Sequence, residues 1–466
     1  MSTTISTPAS LFRKAVIASL VIAVTVISYL IFHNRNDAAM QTETNAPQGQ
    51  EVSTVTNKSG PAPQKNTPSR LAAIAAIPVA KSKPTPANNH KRKLNITAVK
   101  QPADDYTTLK SQLQKKGIYF GTYLNNDDIA QLPPRPSNYL ATISKYFSLY
   151  SIPAWFHHTE YSGRGVFNFN GPDQVADFAV KNGAKIHAHN LIYNVFYPPW
   201  LAKGNYSPAE LADILKTHVQ TVVRHYRDKY PGSVIAWDAV NEPVADPYSK
   251  PQDIGPTGLR NTKWSVIHKP GSTDPSDYIA LTFQWAHEAD PNVKLYINEG
   301  GVEFKGHKWD VLYTLVKKLK ADNVPISGVG FQCHFDTHYD HPLTELMDNM
   351  NMLADLGLQS QVTELDCVIS TAKVVPWSAM AIASPGKSDI DKQVQIFKGT
   401  LRAALNAKNC NAFIMYGAYD PVTCENKFWK DKSGKYIGPF FPNILDDQMR
   451  PKRNFKALVD EVKSSR

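Results

Sequence analysis

The chain has 466 residues, 42% of them hydrophobic and 10% aromatic, and carries a formal net charge of +10 with a sequence pI near 9.1. That excludes a disordered chain and leaves room for one large domain or two ordinary ones. The four cysteines, Cys333, Cys367, Cys410 and Cys424, form no CxxC pair, which argues against a zinc ribbon, a thioredoxin-like motif or a disulfide scaffold.

Taken in chain order, the excess charge comes first. Residues 1–105 hold twelve Lys/Arg against five Asp/Glu, net +7, and residues 106–466 keep only +3. A short basic segment, residues 1–14, ends in Arg13-Lys14 and leads into an uncharged apolar run at 15–32. As a helix this run would be roughly 27 Å long, close to the hydrocarbon thickness of a bilayer. It predicts a transmembrane signal-anchor, with the remainder exported to a periplasmic or extracellular space. The alternative is a cleaved secretory signal, which Asp37-Ala38-Ala39-Met40 suits poorly as a cleavage site.

Residues 33–105 contain no Phe, Trp or Tyr and eight prolines. Such a segment cannot bury enough apolar surface to offset its ordering entropy, so it reads as a disordered linker. Lys91-Arg92-Lys93 within it reads as a solvated cluster rather than a nucleic-acid patch.

From residue 106 to 466, short β-like runs alternate with helical periodicity. Strands are predicted at 117–124, 147–153, 185–193, 234–242, 294–300, 328–335, 361–366 and 412–420. Helical stretches include 173–182, 208–230, 278–289 and 455–462. Eight strands alternating with helices predict an α/β fold, a (β/α)8 TIM barrel, in which strand C-terminal ends carry the chemistry.

Two glutamates stand at such ends. Trp237-Asp238-Ala239-Val240-Asn241-Glu242-Pro243 closes the fourth strand and Val362-Thr363-Glu364-Leu365-Asp366 the seventh. These strands lie on opposite sides of a narrow barrel, so both carboxyl groups can face one bound sugar, the arrangement that glycoside hydrolysis requires.

On these motifs the sequence resembles glycoside hydrolase family 10, the endo-β-1,4-xylanase family, over almost all of 106–466. The resemblance also rests on Lys116-Gly117-Ile118-Tyr119-Phe120-Gly121-Thr122, on Arg164-Gly165-Val166-Phe167-Asn168-Phe169, on His189, and on Gly328-Val329-Gly330-Phe331-Gln332-Cys333-His334. It implies a retaining endo-acting enzyme on xylan-like polysaccharide, with Glu364 as nucleophile and Glu242 as acid/base. It further implies that Asn241 and His189 bond the sugar beside the scissile bond, and that Gln332 and His334 set the orientation and ionisation of the glutamates. Tyr193 and Tyr416 stand where the family has tryptophans and are expected to contact sugar. Two carboxyl side chains suffice for this chemistry, so no cofactor or metal is expected. The partner is a polysaccharide, not nucleic acid, and the catalytic body is expected to be monomeric.

The departures from the family concern recognition. Ser151-Ile152-Pro153-Ala154-Trp155-Phe156-His157-His158 occupies the region where an Asn-Glu-Met-Lys-Trp-like stretch holds distal sugars, Asn194 replaces a His, and Glu299 stands where Asp is usual. Same chemistry on another or substituted glycan, or a barrel that binds glycan without cleaving it, are the alternatives. His334, His338 and His341 follow a strand end rather than lying on a helix, so a zinc site is not expected. His218 and His225 lie on a helical stretch and are expected at the surface. Trp429 is a candidate cleft cap, and Cys333 and Cys367, at neighbouring strand ends, could pair.

Overall fold

A computed structural model describes residues 105–132, 135–369, 385–420 and 441–465. The predicted anchor at 15–32, the linker, Trp429 and Cys424 lie outside the described residues, among which no helix is long and apolar enough to cross a membrane.

Eight parallel strands close into a barrel. In chain order they are β1 (Tyr119–Tyr123), β2 (Leu149–Pro153), β3 (Lys185–Tyr193), β4 (Val234–Asn241), β5 (Lys294–Glu299), β6 (Gly328–Phe331), β7 (Gln359–Val368) and β8 (Cys410–Met415). Neighbours in sequence are neighbours in the sheet, and β1 pairs with β8 to complete the ring. After the strands come, respectively, helices α1 (Tyr139–Tyr146), α2 (Asn170–Lys181), α3 (Pro208–Lys229), α4 (Asp277–Ala289), α5 (His307–Ala321), α6 (Leu343–Asp355), α7 (Lys387–Asn406) and α8 (Arg453–Ser464).

Local chemistry accounts for these elements. The strands are buried on both faces, as parallel strands covered by helices must be, and β2 has no exposed residue. Helix α3 starts where the sequence signals it: Ser207 and Glu210 cap each other's backbone N–H groups and Pro208 takes the first turn. Its stripe of Leu211, Leu215, Val219, Val222 and Tyr226 then buries against the barrel. At the barrel base Phe120 packs against Phe147, Phe413 and Phe455, joining β1, β8 and α8. Each such ring contributes roughly 1.5–3 kcal/mol by burial.

The predicted sixth strand is broken. Regular pairing stops at Phe331, and Cys333 breaks the ladder before a short continuation, His334–Asp336, which pairs with β7. Cys333 has a left-handed φ of 62°, and its N–H donates to the Glu303 carboxylate at 2.8 Å rather than to a strand. The last strand also ends at Met415, not at 420.

Two further expectations are corrected. His218 is fully buried: Phe156 stacks on its ring at 3.5 Å, and its nitrogens lie 3.2 Å from Glu160 and 3.1 Å from the Leu191 carbonyl. His225 is partly buried against Phe169 and bonded to Asp173. Cys333 and Cys367 are buried free thiols, so they do not pair.

Glycines in the 328–330 stretch let the barrel close. A Cβ on Gly328 would stand 2.2 Å from the Gln359 carbonyl oxygen, and one on Gly330 would press on Thr363 and Asn298 at 2.6 and 2.7 Å. Register then sets one level of the rim: Tyr193 lies opposite Asn241, Asn241 opposite Asn298, and Asn298 opposite Gly330.

Candidate active site

Glu242 is the first residue beyond β4. Its φ of 48° is left-handed, which costs a non-glycine residue about 1–2 kcal/mol. Backbone contacts hold it there: its N–H donates to the Asn298 carbonyl at 2.9 Å, and its own carbonyl accepts from Arg260 Nε at 2.9 Å. The turn presents the carboxylate to three donors. Gln332 Nε2 is 3.0 Å from Oε1, while the Tyr193 hydroxyl and Arg260 Nη2 are 2.9 and 3.5 Å from Oε2.

Glu364 lies within β7, 9% exposed. Its Oε1 accepts from Asn298 Nδ2 at 2.6 Å and its Oε2 lies 3.3 Å from His334 Nε2. Burial opposes its ionisation, but the bond from His334, the charges of His189 and His334 and the Asn298 amide outweigh burial and hold the carboxyl below its usual range. His334 sits between two carboxylates, with Nδ1 3.0 Å from Asp366 Oδ1. Desolvation opposes a charge on its ring, yet Asp366 and Glu364 raise its pKa well above the ordinary imidazole value. That favours the imidazolium, which can donate to both carboxylates.

The remaining sequence candidates gather here. Asn241 is buried, its Oδ1 accepting from Asn298 Nδ2 at 2.9 Å. His189 Nδ1 is 2.8 Å from Asp238 Oδ2. Asp238 is in turn held down to about 2, its burial outweighed by His187 and His189. Tyr416 packs edge-on to His334 at 4.9 Å and tilts against Tyr123 at 5.5 Å. Tyr193, expected as a sugar contact, aims its hydroxyl at Glu242.

Sequence reasoning passed over Asn298 and Arg260. Asn298-Glu299 gave the same signal as Asn241-Glu242, a polar pair ending a strand. Arg260 lies in an aperiodic segment and gave none. Behind Glu242, Arg260 also bonds Asp246, Lys308 Nζ is 2.7 Å from Asp246 Oδ1, and the same ammonium is 2.9 Å from buried Glu299. Acidic and basic side chains thus alternate from Glu242 inward to β5.

Beside the pair, the segment that departs from the expected polar pattern forms an aromatic cluster. Trp155 stacks on His157 at 5.3 Å and 12°, and its ring lies 6.5 Å from Tyr123 and 6.3 Å from His189. Burial keeps His157 neutral, and neither Trp155 Nε1 nor His157 Nδ1 has a hydrogen-bond partner among the described residues.

The sequence profile of Glycosyl hydrolase family 10 matches residues 108–461. The chain belongs to glycosyl hydrolase family 10. Among its family 10 relatives, Exoglucanase XynX of Acetivibrio thermocellus is 31% identical over 309 residues, 64% of this chain and 25% of that protein. Beta-1,4-xylanase of Dictyoglomus thermophilum is 31% identical over 302 residues, 63% of this chain and 76% of the relative. The crystal structure of native xylanase 10B from Thermotoga maritima superposes with a TM-score of 0.63 at 25% identity, covering 76% of this chain and 98% of that one. The chain thus spans about a quarter of the length of the first relative and nearly all of the solved family 10 barrel.

Proposed function

We propose that this barrel is a retaining, endo-acting glycoside hydrolase that cleaves β-1,4-linked, xylan-like polysaccharide by double displacement. The observation that carries the reading is the contrast between the two strand-end carboxyls. Glu364 is kept ionised by His334 and Asn298, whereas Glu242 stands at the rim, its side chain twice as exposed, at 20% against 11%.

In the first step a Glu364 oxygen bonds the anomeric carbon while the bond from that carbon to the leaving sugar's oxygen breaks, and Glu242 gives that oxygen a proton. In the second, Glu242 takes a proton from water, whose oxygen displaces Glu364 and regenerates both groups. Asn241 would bond the sugar's 2-hydroxyl, a contact that strengthens as oxocarbenium character develops. His189 would bond the same sugar. Tyr416 offers a ring face at the edge of the site. The relatives, a beta-1,4-xylanase and an exoglucanase by name, support a β-1,4-glycan.

Product analysis on a polysaccharide panel tests this. Xylo-oligosaccharides released first as β-anomers support the reading, and α-anomers would refute retention. Glu364→Ala and Glu242→Ala should each lower hydrolysis of an aryl β-xyloside by orders of magnitude, and wild-type-like rates in either would refute the assignment. A second reading keeps the chemistry on a substituted or different glycan. The aromatic segment Trp155 to His158 favours it, because distal hydroxyls would find few charged partners there. Binding without any product would instead point to a non-hydrolytic glycan-binding barrel. We further propose that the apolar run at 15–32 anchors an exported, monomeric catalytic body, which protease accessibility on intact cells would test.

A further inference from the structure

Three donors converge on Glu242, and they differ in what they can do when its carboxyl gains a proton. Arg260 Nη2 and Gln332 Nε2 can only donate, so each serves an unprotonated oxygen. A phenol hydroxyl donates and accepts. The Tyr193 hydroxyl, 2.9 Å from Oε2, has no other hydrogen-bond partner among the described residues. Arg260, at 3.5 Å, is shared with Asp246.

Other charged and titratable groups face this carboxyl from every side. Strand β3 supplies His189 and Tyr193, the segment after β4 supplies Asp246, Tyr248 and Arg260, β5 supplies Glu299, and α5 supplies Lys308. Two cations, Arg260 and Lys308, are matched by Asp246 and Glu299. The phenol and the Gln332 amide are thus the donors given to Glu242 alone among the described residues, and of the two only the phenol can also accept. Half-buried, desolvated and beside Glu242, it is raised well above the ordinary phenol value and keeps its hydrogen.

We propose that Tyr193 is the positioning residue of Glu242: its hydroxyl gives a hydrogen to the carboxylate and accepts one from the carboxyl, holding the side chain in place through both protonation states. The inference rests on the reading of Glu242 as acid/base. The tryptophan usual at this position in the family carries an indole N–H, which donates only. This chain therefore couples its acid/base to a reversible partner where an indole would supply a one-way donor and a larger ring.

The test uses the full chain labelled with δ-carbon-13 glutamate, with Glu242→Gln to assign the Glu242 signal. In Tyr193→Phe the Glu242 titration midpoint should rise by about half to one pH unit, because the carboxylate loses a charge-assisted bond and the carboxyl a weaker one. The alkaline limb of kcat/KM should rise with it, and substrates with poor leaving groups should lose more rate than activated aryl glycosides. An unmoved midpoint, or a raised KM with an unchanged pH profile, would overturn the proposal and leave Tyr193 as a sugar contact. The spectroscopic arm needs no turnover. Absence of hydrolysis by the wild type would count against the proposed function, while the midpoint still decides on Tyr193.

Discussion

The side-chain nitrogen of Asn298 lies 2.6 Å from Oε1 of Glu364. The same nitrogen is 2.9 Å from Oδ1 of Asn241, and Asn298 Oδ1 accepts from the Thr363 hydroxyl at 2.6 Å. Every polar atom of the amide is used, so one side chain on β5 ties the ends of β4 and β7 together. Asn298→Ala removes a hydrogen bond to an ionised group, worth roughly 1.5–3 kcal/mol. The expected outcome is a fall in kcat/KM of about 10- to 100-fold. Steady-state kinetics on an aryl β-xyloside would check it, and a change under twofold would exclude Asn298 from the machinery.

The His334 imidazolium predicts a pH effect. Replacing it by Gln removes the cation that helps hold Glu364 below its usual range. On the proposed mechanism the acid limb of kcat/KM reports Glu364 ionising, and it should therefore move to higher pH by about one unit. A limb in the same place would mean that another group sets it.

Glu299 gives a stability prediction of opposite sign. Fully buried, it is pushed from its ordinary 4.5 up to about 7, since burial outweighs the attraction of Lys308. A carboxyl raised on folding stays protonated in the native state while the unfolded chain has already lost the proton. The contribution of Glu299 to native stability must therefore fall as pH rises from about 4.5 through 7, by about 3 kcal/mol at most. Glu299→Gln removes that slope. Urea unfolding at pH 5 and pH 8 should show the variant gaining on the wild type at the higher pH, and parallel curves would contradict a raised Glu299 carboxyl.

Gly330→Ala should damage the site without removing a polar group. The added methyl would stand 2.6 Å from Thr363 Cγ2 and 2.7 Å from Asn298 Oδ1. Overpacking of this kind costs about 1–3 kcal/mol. We expect a lower melting temperature together with reduced kcat, because Asn298 must move. Loss of stability at full kcat would separate the packing from the catalysis.

Much of this was legible in the sequence. Short apolar strands between periodic helices spelled out the barrel, and Asn241-Glu242 and Glu364 were marked by standing at strand ends. What escaped depends on partners distant in the chain. The break at Cys333 is fixed by Glu303, thirty residues earlier, and nothing local announces it. His218 shares a stripe with apolar neighbours, but its burial is decided by Phe156 and Glu160 from another strand–helix connection. For Tyr193 the residue type indicated a ring near sugar, while the direction of its hydroxyl follows from the register of β3 against β4. Arg260 reaches Glu242 from a segment with neither strand nor helix period.

The break after β6 gives Gln332 three simultaneous engagements. Its N–H donates to the Glu299 carbonyl at 3.1 Å, its carbonyl accepts from the Glu364 N–H at 3.1 Å, and its side chain reaches Glu242 at 3.0 Å. One residue therefore acts as a gauge block between the two carboxyl-bearing strands, and the span that the proposed mechanism needs between them is set inside the barrel wall. Loops on the rim can be exchanged, lengthened or lined with aromatics, as at Trp155, while that span stays the same.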